Sequence, residues 1–165
     1  MYRKVLVPLD GSAVAECSLP HIVKLVKDGA VGEVTLLNVI WADVAYVIGV
    51  DPDIGSHRQK IMNNVMERLT GNARKYLGDI KMRLAADGVK VKTKILEGIR
   101  PADTISDYVQ KNGIDLVIIA THGYTGLKKM MLGSVALDIL HNACAPVLLI
   151  KPGAGGAEKT AAGKA

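Results

Sequence analysis

The sequence predicts an α/β fold, in which a five-stranded parallel sheet of order 3-2-1-4-5 forms the middle of three layers and helices cover both of its faces. Short buried-strand patterns alternate with helix-period patterns along the chain, and a length of 165 residues suits one domain with one core. Right-handed crossovers between successive strands make such a sheet parallel. In this order strands one and four are neighbours where the winding reverses, so a crevice is expected at their carboxyl ends.

The first third of the chain supplies two buried strands and a helix. Residues 4–9 form a short β-branched run that ends in a turn at Asp10, and residues 33–40 form a second strand that is apolar on both faces. Between them, residues 13–28 have helical spacing, with Pro20 near the first turn. Residues 41–57 show no sustained period and are interpreted as a loop that covers part of a pocket.

In the middle of the chain, the spacing of apolar residues predicts a long helix that ends near Gly88, followed by a strand over residues 90–96. The strand alternates apolar residues with lysines, which is typical of a partly exposed edge strand. The apolar positions of the helix recur every three or four residues and are expected to face the sheet: Ile61, Val65, Leu69, Ala73, Leu77, Ile80 and Leu84.

The last third repeats the pattern. A helix begins at Pro101 and ends at Gly113, and residues 115–120 give the strongest buried-strand signal in the sequence. Ser134 begins the last helix, and residues 145–150 form a fifth strand whose proline favours an edge position. The domain is therefore expected over residues 1–152, followed by a small, polar and flexible tail over residues 153–165.

Composition argues against several classes of protein. The sequence contains no uncharged apolar run near the roughly 18 residues of a membrane span and no signal-peptide pattern, which favours a cytoplasmic protein without a membrane partner. Cys17 and Cys144 suit reduced, buried thiols rather than a disulfide framework or a metal pair. The net charge of +5 is spread along the chain and stacking aromatics are few, which argues against nucleic acid.

The loop after the fourth strand holds the candidate binding chemistry. Gly123 and Gly126 let main-chain N–H groups approach phosphate oxygens, and Gly133 and Ser134 begin a helix whose positive dipole end attracts anions. The alternative is that the glycines shape turns and Ser134 caps the helix. Their place after the most buried strand favours the phosphate interpretation.

Four charged or titratable residues near the crevice allow two interpretations each. Asp10 either contacts a ligand, directly or through a water-bound metal, or caps the following helix. Lys128 and Lys129 either neutralise phosphate or form a solvated face. His122 is assigned a loop hydrogen bond rather than acid-base catalysis, because no nucleophile or second base accompanies it. No histidine has companion ligands at metal spacing, so no structural metal is expected.

The same loop resembles that of the universal stress protein family, whose nucleotide-binding members carry Gly, two residues, Gly, nine residues, then Gly and Ser or Thr. Gly123, the nine residues 124–132, Gly133 and Ser134 reproduce the second half, and Ala120 stands at the first glycine position. The resemblance extends over segments 5–12, 37–39, 97–98 and 146–151, and implies a Rossmann-like fold of the adenine nucleotide alpha hydrolase type.

The resemblance also implies a ligand and a set of contacts. The expected ligand is ATP, accompanied by Mg²⁺, and a homodimer is implied through the last strand, with a downstream protein partner that the sequence does not identify. The base is expected near Leu9, Asp10 and Val39, with phosphates over the glycine loop. The complete set of expected binding residues is Pro8, Leu9, Asp10, Val39, Ile119, Ala120, His122, Gly123, Gly133, Ser134 and Val135.

Ala120 decides between the functions that remain. A methyl group at this position could collide with ligand, and a positive φ there would cost about 1–2 kcal/mol, whereas strand geometry removes that penalty. The favoured function is an ATP-binding stress-response module with little catalytic turnover. The alternatives are a slow ATP hydrolase and a dimeric interaction protein that has lost nucleotide binding.

Overall fold

The structure is a computed structural model that describes residues 1–41, 55–121 and 133–153, with side chains from residue 60 onward in the second range. Its strands are β1 (Tyr2–Pro8), β2 (Val31–Ile40), β3 (Lys90–Glu97), β4 (Leu116–Ala120) and β5 (Val147–Ile150). All paired strands run parallel, in the order β3-β2-β1-β4-β5. The predicted fold class and strand order are therefore confirmed.

The described helices divide between the two faces of the sheet: α1 (Ala13–Glu16), α2 (Leu19–Lys27), α3 (Gly55–Ala86), α4 (Pro101–Asn112) and α5 (Ser134–Asn142). On one face, Val5 and Val7 of β1 pack in a cluster with apolar residues of α2 and α3. On the other, Leu6 packs in a cluster with residues of α4 and α5. Successive strand residues point to opposite faces, so this alternation gives the domain two apolar layers.

The helix predicted over residues 13–28 is in fact two helices, and this part of the prediction was wrong. Helix α1 ends at Glu16 and α2 begins at Leu19, with Pro20 in its first turn. Proline has no N–H to bond with the carbonyl four residues earlier, and its ring clashes with that carbonyl, which here belongs to Glu16. The proline thus ends α1 instead of bending one continuous helix.

Helix α3 confirms most of the predicted core positions. Ala73, Leu77, Ile80 and Leu84 are buried, but Ile61 is exposed, so the expectation that it faces the sheet was wrong. A helix of 32 residues is about 48 Å long, whereas β2, with 10 residues, spans about 33 Å. The N-terminal part of α3 therefore extends past the strand, with no sheet surface to cover it.

The two outer strands differ from the central ones in exposure. The residues of β3 are mostly exposed, as predicted for an edge strand, and β5 forms the opposite edge. Neither cysteine forms a disulfide, but Cys17 is half-buried and Cys144 is exposed, so the expectation of buried thiols was wrong. Among the described helices, none combines the length and apolar composition needed to cross a bilayer.

Candidate functional site

A cavity of about 660 Å³ lies at the carboxyl end of the sheet, where β1, β2 and β4 finish. The turn after β1 forms one wall, residues of α3 form another, and the first residues of α4 and α5 complete it. Strands β1 and β4 are neighbours that pair at Val5–Leu116 and Leu6–Val117, below the cavity, and the chain winds in opposite directions on either side of them. This is the position at which ligands bind in open parallel sheets.

The cavity brings together the predicted binding residues that the structure describes. They come from four separate segments: Pro8, Leu9, Asp10, Val39, Ile119, Ala120, Gly133, Ser134 and Val135. His122, Gly123, Gly126, Lys128 and Lys129 lie outside the described residues. The part played by each residue in binding stays a prediction.

The turn between β1 and α1 is built by its own side chains. The backbone N–H of Ser12 donates to Asp10 Oδ1 at 2.9 Å, and the N–H of Ala15 donates to Ser12 Oγ at 3.1 Å. Gly11 between them has a φ of +90°, a conformation that other residues rarely adopt. Ser12, not Asp10, is therefore the N-cap of α1, and the exposed Asp10 carboxylate lies at the cavity wall.

Asn38 joins the ends of β1 and β2 beneath the cavity. It is buried, and its Nδ2 donates to the carbonyl oxygen of Leu9 at 2.7 Å, while the Leu9 N–H donates to the Leu37 carbonyl at 2.8 Å. A buried amide that cross-links two strand ends fixes the backbone from which Asp10 projects. Asn38 lines the cavity, yet the sequence analysis did not select it as a site residue.

Ala120 is the last residue of β4 and lines the cavity. No described residue other than glycine has a positive φ, so Ala120 lies outside the left-handed region. The steric penalty considered for a non-glycine residue at this position therefore does not arise. The N–H of the next residue, Thr121, donates to the Ile150 carbonyl at 2.8 Å, which continues the β4–β5 pairing beyond Ala120.

The N-terminal turn of α5 forms the cavity wall next to β4. Gly133 is the N-cap residue, with φ of −59° and ψ of 147°, and it makes no side-chain capping bond. Ser134 is the first residue of the helix proper, so the interpretation of Ser134 as the cap was wrong. The first N–H groups of a helix have no partner within the helix, and here they border the cavity.

Charge is scarce on the described cavity wall. Among its residues there is no Lys, Arg or His, and Asp10 supplies the sole full charge at neutral pH. Residues 1–41, 55–121 and 133–153 contain no cluster of His, Cys, Asp and Glu that could hold a metal ion. This part of the wall therefore suits a ligand bound by apolar contact, backbone N–H groups and a helix dipole.

Tyr76 of α3 adds a buried hydroxyl to the cavity wall. No described group meets hydrogen-bond geometry with its Oη, although the Glu16 side chain and the Gly11 backbone lie close to it and the residue lines the cavity. Burial raises the pKa of Tyr76 above its ordinary value, and the Glu16 and Asp10 carboxylates raise the pKa further. The phenol therefore stays protonated and keeps a proton that it can donate.

Sequence reasoning also missed other residues on this wall. They include Trp41, which directly follows β2, Asn72 and Tyr76 of α3, and Pro101 at the start of α4. The sequence analysis placed Trp41 in the loop over residues 41–57 that was expected to cover part of a pocket, and did not name it as a binding residue. Residues 42–54 of that loop lie outside the described residues, and residues 55–57 belong to α3. A signal existed for Trp41, since the residue follows a buried strand that ends at the predicted crevice.

Comparison with known proteins defines the class to which this fold and cavity belong. Residues 1–151 match the Universal stress protein family, and the chain belongs to that family. It is 35% identical to universal stress protein MJ0577 of Methanocaldococcus jannaschii, over 92% of this chain and 96% of the relative. The solved structure of the hypothetical protein MJ0577 superposes with a TM-score of 0.72 at 33% identity, covering 92% of this chain and 96% of that one.

Two further solved structures share the fold at lower identity. One is a universal stress protein family protein from Arabidopsis thaliana with AMP bound, with a TM-score of 0.62 at 18% identity, covering 92% of this chain and 93% of that one. The other is a universal stress protein in complex with cAMP, with a TM-score of 0.58 at 16% identity, covering 90% of this chain and 96% of that one. At these identities the likeness shows the fold alone.

Proposed function

We propose that this chain is a cytoplasmic, ATP-binding stress-response protein, in which nucleotide occupancy regulates interactions and catalytic turnover is small. The observation that carries the proposal is the cavity of about 660 Å³ at the carboxyl ends of β1 and β4. Its volume is within the usual range for small-molecule sites. Residues that the family resemblance assigns to the nucleotide line this cavity. Proteins of the same fold have been solved with AMP and with cAMP.

The described wall offers different chemistry for each part of the nucleotide. Apolar residues such as Leu9, Val39 and Ile119 suit the base, and the Asp10 carboxylate suits the ribose hydroxyls as a hydrogen-bond acceptor. The N–H groups of Ser134 and Val135, at the start of α5, suit phosphate oxygens. Mg²⁺ would accompany the triphosphate, because this ion is usually held by phosphates, waters and few protein oxygens.

The wall favours binding over hydrolysis. General acid-base catalysis needs a group with a suitable pKa within hydrogen-bond reach of the reacting atoms. The described wall has one carboxylate, Asp10, whose Oδ1 already accepts the Ser12 N–H, and one phenol with a raised pKa. We therefore expect negligible phosphate release while ATP remains bound.

The first experiment identifies the ligand. Freshly purified protein is denatured, the released small molecules are analysed by mass spectrometry, and emptied protein is titrated with Mg-ATP by calorimetry. Recovered adenine nucleotide and saturable ATP binding are expected. An empty protein that also ignores added Mg-ATP would refute the proposal and favour an interaction protein without a nucleotide.

A matched pair of variants at Gly133 tests the phosphate position. Its φ of −59° suits any residue, and Asp and Ser are both good N-cap residues, so Gly133→Asp and Gly133→Ser should fold normally. The aspartate places a negative charge beside the phosphates, so we expect ATP affinity to fall about 10-fold or more. Gly133→Ser is the uncharged control. Equal ATP affinities for the two variants would place the phosphates elsewhere.

The proposed protein is a homodimer joined through β5. This strand is an edge of the sheet, and exposed leucines lie on it and on the helix that precedes it, Leu148 on β5 and Leu140 on α5. An apolar edge strand invites pairing with a second copy. Light scattering should give twice the chain mass, and Leu140→Glu should shift the protein towards monomer. Met82→Glu, at an exposed position on α3, should leave the dimer intact.

A further inference from the structure

Trp41 is an exposed aromatic residue on the wall of the cavity. It directly follows β2, it lines the cavity, and 53% of its surface is exposed. The sequence contains one Trp and no Phe, so this ring is the largest aromatic surface in the chain. Tryptophan is usually highly buried in folded proteins, because its ring supplies so much apolar area. An indole left half exposed beside a cavity has surface available to a ligand.

The backbone that carries Trp41 is held in place. The carbonyl of the preceding residue, Ile40, accepts a hydrogen bond of 3.1 Å from the Gly98 N–H, which extends the β2–β3 pairing to its last residue. Gly98 packs so closely against Thr104 of α4 that a side chain at position 98 would collide with it. The indole therefore projects from a fixed strand end, which lowers the entropic cost of ordering it around a ligand.

The other described parts of the wall provide no competing stacking surface. Tyr76 is the one other aromatic residue among the described residues that line the cavity. Its ring belongs to α3 and packs against the apolar cluster between the helices and the sheet. Among the described wall residues, Trp41 therefore provides the exposed ring on which an aromatic ligand can stack.

We propose that Trp41 stacks on the base of the bound nucleotide and makes the cavity selective for purine over pyrimidine nucleotides. The proposal rests on the nucleotide-binding function proposed above and adds a specificity residue to it. Stacking does not depend on the hydrogen-bonding groups at the edge of the base. Its strength follows the area of ring overlap, which is larger for a two-ring purine than for a one-ring pyrimidine. Inorganic triphosphate has no base and gains nothing from the indole.

Trp41 also provides its own readout, because it is the one tryptophan of the sequence. Wild-type protein, emptied of ligand, is titrated with Mg-ATP, Mg-UTP and inorganic triphosphate while tryptophan emission and calorimetric heat are recorded. We expect ATP to quench the emission with the same Kd that calorimetry gives. UTP should bind more weakly, and triphosphate should bind without quenching.

Substitutions separate stacking from other effects of the residue. Trp41→Ala should weaken ATP binding about 10-fold and leave triphosphate binding unchanged, whereas Trp41→Phe should recover most of the ATP affinity. The preference for ATP over UTP should shrink in Trp41→Ala. Ile99→Ala is the matched control, since Ile99 is 84% exposed and is not among the described residues of the cavity wall.

The outcomes distinguish this proposal from the one on which it rests. ATP binding by wild-type protein, with the same affinity in Trp41→Ala, would overturn the stacking role and leave nucleotide binding intact. UTP binding as tightly as ATP to wild-type protein would overturn the purine selectivity. A wild-type protein that gives no calorimetric heat with ATP would refute both proposals.

Discussion

The two ends of the sheet differ in what they leave available to a ligand. At the amino end, both oxygens of the Asp115 carboxylate accept backbone N–H groups of β1, from Arg3 at 2.8 Å and from Lys4 at 2.9 Å. At the carboxyl end lie the cavity, the unpartnered hydroxyl of Tyr76 and the half-exposed indole of Trp41. The polar groups named at the amino end bond within the protein, whereas the carboxyl end, besides the structural bonds described above, keeps a hydroxyl and an indole that a ligand can contact.

Further contacts at the amino end strengthen the contrast. Lys4 Nζ donates to the Asn112 carbonyl at 3.1 Å, and the Asp115 N–H donates to the Lys4 carbonyl at 3.0 Å. Glu33 of β2 forms an ion pair of 2.9 Å with Lys92 of β3. Substitutions at the amino end should therefore change stability without affecting ligand binding, and any change in ligand binding should come from substitutions at the carboxyl end.

The largest effect is expected from Asp115→Ala. This change leaves two N–H groups of β1 without their charged acceptor, and such hydrogen bonds contribute about 1.5–3 kcal/mol, so we expect the free energy of unfolding to fall by about 2 kcal/mol. Urea denaturation measures the loss. The control is Asp107→Ala, which removes an exposed ion pair with Lys111 and should cost less than about 0.5 kcal/mol.

If the two ends of the sheet act independently, Asp115→Ala should leave the cavity unchanged. Calorimetry on the folded variant should give an ATP affinity within about twofold of wild type, which is about 0.4 kcal/mol. A much larger loss of affinity would show that the two ends of the sheet are coupled. Stability and binding would then not be separate properties of the two ends.

A smaller effect is expected from Ser12→Ala, at the carboxyl end. Loss of the Ser12 Oγ acceptor removes the N-cap of α1 and should lower the free energy of unfolding by about 1 kcal/mol, as measured in urea. Because Ser12 also lines the cavity, ATP affinity should fall as well. Ser12→Asn keeps a capping oxygen, so its stability should match wild type; an equal loss in both variants would assign the effect to something other than the cap.

Alkaline pH tests the buried phenol. Burial, with help from the Glu16 and Asp10 carboxylates, raises the pKa of Tyr76 in the folded protein above its ordinary value of 10.0. The unfolded state therefore loses this proton first. The stability that the phenol contributes is fully present below pH 10.0 and disappears as pH rises through the folded-state pKa.

Tyr76→Phe should remove that part of the pH dependence. Its hydroxyl has no hydrogen-bond partner among the described residues, so at neutral pH the variant should match wild type within about 0.5 kcal/mol. Burial also raises the pKa of Cys17 above its ordinary value of 9.0. Ionisation of this thiol therefore adds a second loss of stability, which begins at lower pH, and Cys17→Ala removes it. An unchanged alkaline slope in Tyr76→Phe urea curves would contradict the assignment.

The sequence predicted the fold well because the sheet order follows from local patterns and crossover handedness. The strand order also predicted a crevice at the carboxyl ends of strands one and four, and the cavity lies there, with Asp10 after β1 and Ala120 at the end of β4 on its wall. Asn38 was missed for a physical reason. One polar residue in a buried strand looks like a tolerated core position until its amide is seen to bond the Leu9 carbonyl.

Residues of α3 could not be assigned from sequence for a different reason. The period of a helix shows which residues share a face, but not how far along the sheet that face lies. Tyr76 reaches the cavity, and Ile61 lies beyond the covered surface, because tertiary packing sets the position of the helix along its axis. The break between α1 and α2 was missed because the apolar spacing continues through Pro20.

The smallest effect is expected from Ala120→Gly, which restores the glycine of the family pattern. Ala120 ends β4 without a positive φ, so glycine is not needed there for backbone geometry. If the methyl group also leaves room for the ligand, calorimetry should give an ATP affinity within about twofold of wild type, about 0.4 kcal/mol. An affinity gain of about 10-fold would show instead that the methyl group obstructs the nucleotide, and that the carboxyl end of this sheet has been partly closed to it.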